Sequence, residues 1–206
     1  MFSRSSLLAA WGLFAACQGM PGVDERFEEN VVVTTGDVDA SFAAYQTFAV
    51  SPIAAAHVDL RGGAQTRILD GGFAAELAAH AAQLMSERGY RRVELDQSPE
   101  LGLGIGLLEG IKTATVTSDA FGASYGASFG FPGAGYYYPY SFTYFYRAGA
   151  LTMVLLDLKR APVDASVPAI WSSIVYRAFP PEQPLDQVRV GDALQQAFQQ
   201  SPYLHR

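Results

Sequence analysis

From Leu101 to Leu107 the chain alternates without a break, with Leu101, Leu103, Ile105 and Leu107 on one side and Gly102, Gly104 and Gly106 on the other. A period of two belongs to a strand, and this strand has one apolar face and one face without side chains. Any sheet containing it must let another element lie directly against bare backbone on the glycine side. The spacing Gly102-x-Gly104-x-Gly106 also invites a phosphate-loop reading, which fails on its chemistry. No Lys-Ser/Thr follows it, and no helix opens after it.

The neighbours of this strand are legible from their patterns. Leu151 to Leu158 is an almost continuous apolar run, broken by Thr152 and Asp157, as expected of a central strand buried on both faces. Lys159 to Pro168 is a polar connection, and Ile170 to Ala178 then supplies an antiparallel hairpin partner. Val31 to Thr35 is β-branched throughout and reads as the first strand. A turn follows at Gly36-Asp37, Phe42 and Tyr45 are spaced like one helical turn, and Thr47 to Val50 is a strand that Pro52 ends.

Ala54 to Gly63 reads as a loop. Thr66 to Arg88 reads as the main helix, with Gly71-Gly72 weakening its first turns and Gly89 as its stop. Arg91 to Glu94 is a short strand, Asp96 to Pro99 a turn, and Leu185 to Gln199 a final helix that Pro202 terminates. The result is a single α+β domain over residues 31–206: an antiparallel or mixed β-sheet with two helices packed on one face. Residues 118–148 interrupt it with a Gly/Tyr-rich insert of almost no charge. This insert is either a mobile loop or, in its last part from Ser141 to Tyr146, a continuation of the sheet. Its Tyr136, Tyr137, Tyr138 and Tyr140 are the candidate partner-binding residues, because aromatic side chains bring large contact area at low entropy cost.

At the amino terminus, Arg4 precedes an apolar run from Leu7 to Ala16, and the sole cysteine, Cys17, closes it. A bilayer core needs roughly 20 residues, so the run has the proportions of a secretory signal. Phe14-Ala15-Ala16-Cys17 resembles a bacterial lipobox, with Phe14 where Leu is usual. That resemblance implies a lipoprotein signal peptide over 1–16 and a lipid-modified Cys17, and residues 17–30 then form an acidic tether. Gln18, in place of Asp, points to the outer membrane, facing the periplasm. The net charge of −6 leaves no basic field for nucleic acid or anionic lipid, so the membrane contact is expected through the lipid on Cys17.

No set of catalytic residues emerges. His57, His80 and His205 share no metal-ligand spacing, and His205 sits at a terminus expected to fray. Asp37, Asp39 and Asp59 read as loop carboxylates, too sparse for a calcium loop. Ser172 and Ser173 lack a nucleophile elbow. Asp157 is the one carboxylate inside an apolar strand, where burial demands a partner such as Arg160 or Arg177. No metal, cofactor or catalysis is expected. The alternative is a small-molecule or glycan-binding module, or a hydrolase, using the aromatic insert and Asp157.

Several pieces, in order, resemble the bacterial lipoproteins grouped as domain of unknown function 4136. They are Phe42-x-x-Tyr45-x-Thr47-Phe48-Ala49, Arg88-Gly89-Tyr90, Pro99-Glu100-Leu101, the Gly/Tyr-rich insert, Gly149 to Asp157, Ile170-Trp171-Ser172 and Ser201-Pro202. Ser41, Val50 and Glu100 depart from the letters usual there. The resemblance implies a cell-envelope lipoprotein with an α+β fold and no known reaction; the partner expected at the aromatic insert is an envelope protein or polymer.

Overall fold

The alternating strand becomes β6, Leu101–Glu109, in the middle of a nine-stranded sheet. The structure is a computed structural model and describes residues 30–58, 64–109, 114–116, 125, 127–131, 136–137, 144–146, 149–161, 166–180 and 184–206. The other elements are β1 (Val31–Gly36), β2 (Thr47–Val50), β3 (Ala54–Val58), β4 (Ala64–Ile68), α1 (Gly72–Glu87), β5 (Arg91–Arg92), β7 (Ala114–Val116), β8 (Tyr136–Tyr137), β9 (Tyr144–Tyr146), β10 (Ala150–Asp157), β11 (Val167–Tyr176) and α2 (Gln187–Gln199).

The main strand order is β1-β11-β10-β6-β2-β5. β10 pairs antiparallel with β6 over its whole length and with β11 on its other side, which explains its unbroken apolar run: both faces and both edges are covered. β2 and β3 lie parallel to successive halves of β6. Pro52, which has no amide hydrogen to give a ladder, falls between them, while Ser51 N–H reaches the Leu103 carbonyl at 2.9 Å.

Both helices cover one face, as the pattern predicts. Leu77, Ala81 and Met85 of α1 and Val190, Leu194 and Phe198 of α2 pack on Leu101, Leu103, Ile105, Leu107, Leu151, Met153, Leu155 and Trp171. The opposite face carries a second apolar layer, in which Tyr125, Phe129, Phe131 and Tyr136 of the insert meet Leu108, Val154, Leu156, Val167 and Ile174. The domain is thus three layers: helices, sheet, aromatic insert.

Two expectations are corrected. Ala54 to Gly63 is not wholly a loop, because Ala54–Val58 forms β3, which takes the otherwise open edge of the later half of β6. The helix does not begin at Thr66. Ala64–Ile68 is β4, antiparallel to β3, and α1 starts at Gly72 after Gly71, whose φ of 87° no helix interior permits. Local apolar spacing over 66–69 fits either element, and the free edge of β3 decides it.

At its other end α1 stops as expected, with Gly89 at φ 92°. Asp186 caps α2, its carboxylate accepting from Val188 N–H at 2.9 Å. The last part of the insert does not extend the main sheet: β9 pairs with β7 in a separate two-stranded sheet. Cys17, residues 1–29, Asp59, Tyr138 and Tyr140 lie outside the described residues.

Candidate functional site

Asp157 ends β10 fully buried, and its position explains its presence in an apolar strand. Oδ1 accepts the backbone N–H groups of Lys159 and Arg160, each at 3.1 Å. Oδ2 accepts the Tyr45 hydroxyl at 2.6 Å and the Arg160 guanidinium. Of the two expected cationic partners, Arg160 is the one present. Burial, and next the Asp157 hydrogen bond, push the Tyr45 hydroxyl above its ordinary value and keep it protonated as a donor.

Beside this corner the Lys159 ammonium lies 5.6 Å from the centroid of the Tyr45 ring and pairs with Glu100 at 3.1 Å. Burial would raise the Glu100 carboxyl, yet the Gln46 N–H and Lys159 hold it below the usual value. With both oxygens of Asp157 engaged, the group serves as a hub that ties the strand end to Tyr45, leaving no lone pair directed at a substrate.

The pieces that carry the family resemblance meet in this way throughout. Arg88 donates to the carbonyls of Phe198, Ser201 and Leu204 and sits 5.4 Å from the centroid of the Phe198 ring. Arg206 N–H returns a bond to the Arg88 carbonyl at 3.0 Å. Trp171 Nε1 donates to Ser201 Oγ at 2.9 Å, and the Tyr90 hydroxyl to the Phe42 carbonyl at 3.2 Å. The carboxy terminus, expected to fray, is therefore clamped.

Beside that clamp lies a concavity. The segment after α2 lies beside the turn that follows β1, and between them is an open groove of about 490 Å³ bordered by Gly36, Asp37, Ser41, Phe42, Tyr203 and His205. Tyr203, 41% exposed, lies over Gly36, where a Cβ would come within 3.0 Å of its ring. Its centroid is 5.8 Å from that of Phe42. Asp37 is buried; its Oδ1 accepts the Asp39 N–H at 3.0 Å, and its own N–H donates to the Ile170 carbonyl. Ser41 begins the 3-10 turn Phe42–Ala44 without capping it through its hydroxyl. His205 Nδ1 is 3.0 Å from the Pro202 carbonyl. A carbonyl only accepts, so Nδ1 carries the proton and Nε2 is left as an acceptor in the neutral ring.

Reading the sequence missed this groove because its two sides are about 160 positions apart. The turn at Gly36-Asp37 was visible, but nothing local links it to Tyr203. Of the candidate tyrosines, Tyr136 stacks on Tyr125 at 6.1 Å and pairs in parallel with Val167, while Tyr137 is 47% exposed. His80 borders a smaller cleft of about 230 Å³ between α1 and α2. The hydroxyls of Ser172 and Ser173 are buried without a partner among the described residues. Among those residues no three His, Cys, Asp or Glu side chains cluster to hold a metal, and no helix is long and apolar enough to cross a membrane.

The model of a family described as a domain of unknown function (DUF4136) matches residues 32–203. Among solved structures the chain is similar to a DUF4136 family protein from Bacteroides thetaiotaomicron VPI-5482, with 20% identity and a TM-score of 0.61, over 85% of this chain and 97% of that one. A PelC dodecamer from Paraburkholderia phytofirmans is similar at 14% identity and a TM-score of 0.42, over 86% of this chain and 99% of that one. No curated protein matches. At 20% identity the likeness to the Bacteroides protein concerns the fold alone.

Proposed function

The chain belongs to the family of domain of unknown function 4136, and from that premise we propose that it is a lipid-anchored lipoprotein of the cell envelope, whose α+β domain is a non-catalytic binding module. The observation that carries this reading is Cys17, the single cysteine, directly after Phe14-Ala15-Ala16 at the end of a short apolar run. A lipoprotein signal peptidase cuts before such a cysteine, and the acyl chains on it hold the protein at the outer membrane, facing the periplasm. One acyl chain gives only marginal attachment, whereas several make it durable. The acidic residues of 18–30 then set the reach of the domain.

A binding role fits the chemistry of the domain better than catalysis. Asp157, the carboxylate that most resembles a catalytic group in the sequence, is occupied by four hydrogen bonds from Tyr45, Lys159 and Arg160. An exposed aromatic at Tyr137, with Tyr136, Tyr138 and Tyr140 around it in sequence, offers a surface for an envelope protein or polymer. Mass spectrometry of the mature amino terminus tests the anchor. A diacylglyceryl, N-acylated Cys17 is expected, and an unacylated terminus at another residue overturns the reading. Crosslinking in intact cells, comparing the native chain with Tyr137→Ala, tests the surface; equal partner recovery removes the tyrosines from it.

A further inference from the structure

The groove between Gly36–Ala43 and the carboxy-terminal segment has a one-sided chemistry. Asp37 is nine-tenths removed from solvent, and only one of its oxygens, Oδ1, is used by a described neighbour, the Asp39 N–H. His205, when neutral, adds Nε2 as an acceptor, because Nδ1 is committed to the Pro202 carbonyl. Ser41 adds a hydroxyl that caps nothing, and Tyr203 and Phe42 add ring surface. Among the described residues no Lys or Arg borders the groove. It is thus rich in acceptors and π surface, with one partly desolvated negative charge.

We propose that this groove binds an organic cation, an ammonium or guanidinium group whose N–H donors meet Asp37 and His205 and whose charge lies against the Tyr203 ring. An anion would be repelled by Asp37. A neutral polyol would leave that charge without a counter-charge. A cation answers both, since the carboxylate supplies its counter-charge and an aromatic face attracts positive charge. A volume of about 490 Å³ accommodates a small ligand or a side chain with its flanking backbone. The cation comes from one of two sources: a free polyamine, or a Lys or Arg side chain of a polypeptide.

This deepens the reading of a binding domain and rests on it. Cys17 acylation and groove occupancy are separate measurements, so either can fail alone.

The test is a titration of the full chain, followed by amide NMR, with spermidine and with the tripeptide Gly-Lys-Gly. Gly-Gln-Gly and Gly-Glu-Gly serve as neutral and anionic controls. Saturable shifts at Gly36, Asp37, Phe42 and Tyr203 are expected with the cations only. Tighter binding of spermidine identifies a free polyamine, and tighter binding of the peptide identifies a polypeptide. Asp37→Asn keeps Oδ1 for the Asp39 N–H and is expected to weaken binding about tenfold or more. Tyr203→Leu is expected to weaken it by a smaller factor. The proposal is overturned if neither cation gives saturable shifts, if shifts map elsewhere, if Gly-Gln-Gly binds as tightly, or if Asp37→Asn binds unchanged. Should Asp37→Asn fail to fold, the shift map of the native chain and the Tyr203→Leu titration decide.

Discussion

The ring of Tyr125 lies flat against the backbone of Gly104, so close that a Cβ at that position would stand 2.7 Å from the ring. Gly102 bears the same relation to Phe129, at 2.8 Å. The glycine face of β6 is thus the seat of the aromatic insert, whose Tyr125 is only 1% exposed.

Gly104→Ala forces a large buried ring to move. Overpacking of this kind costs typically about 1–3 kcal/mol. A fall in thermal midpoint is expected, and Tyr125→Leu should relieve part of it in the double variant. Strictly additive effects of the two substitutions would mean that the ring and the glycine do not share this contact.

The Asp157 hub predicts unequal losses. Asp157→Ala strands the Tyr45 hydroxyl and the Lys159 and Arg160 amides, and each buried donor left without its acceptor costs about 1–3 kcal/mol. Tyr45→Phe removes one charge-assisted bond, about 1.5–3 kcal/mol. Arg160→Met should cost least, because that side chain is 53% exposed and solvent screens it. Urea unfolding of the three variants checks the order; a costlier Arg160→Met would contradict this account.

Alkaline pH should destabilise the domain through its buried phenols. Burial, opposed by the nearby Arg88 charge, pushes the Tyr90 hydroxyl from 10.0 up to about 12, and Tyr45 is raised as well. Above pH 10.0 the unfolded chain releases these protons while the folded one retains them, so their contribution is whole below that pH and is lost as pH climbs towards about 12. Denaturant midpoints between pH 9 and 11.5, roughly spanning this window, should fall, and fall less steeply in Tyr90→Phe. An identical slope in that variant would assign the loss to other groups.

Arg88 holds the carboxy-terminal segment by three carbonyls. Arg88→Met keeps the apolar stem but leaves those carbonyls without their donor. Hydrogen exchange at Leu204 and Arg206, whose amides bond Ser201 and Arg88, should accelerate by at least about tenfold. Exchange in the middle of β10 should change less. Equal acceleration at both places would show global unfolding in place of local release.

Much of this protein is determined by the order of its residues alone. Alternation dictates β6, the unbroken apolar run dictates that β10 is central, and Gly89 dictates where α1 stops. These are local signals, because side-chain periodicity and glycine conformation act within a few residues.

Tertiary structure decided what locality leaves open. Ala54–Val58 and Ala64–Ile68 became β3 and β4 because half of the β6 edge was free to pair, a circumstance no window around Ala54 or Thr66 contains. Asp157 chose Arg160 because the backbone turns there and brings Tyr45 from 112 positions away. The groove forms where the last residues, held by Arg88 and by the buried Leu204, lie beside Asp37. Contacts between distant segments form when the ends of many elements are already placed, so their chemistry is written in the fold and not in any one stretch of chain.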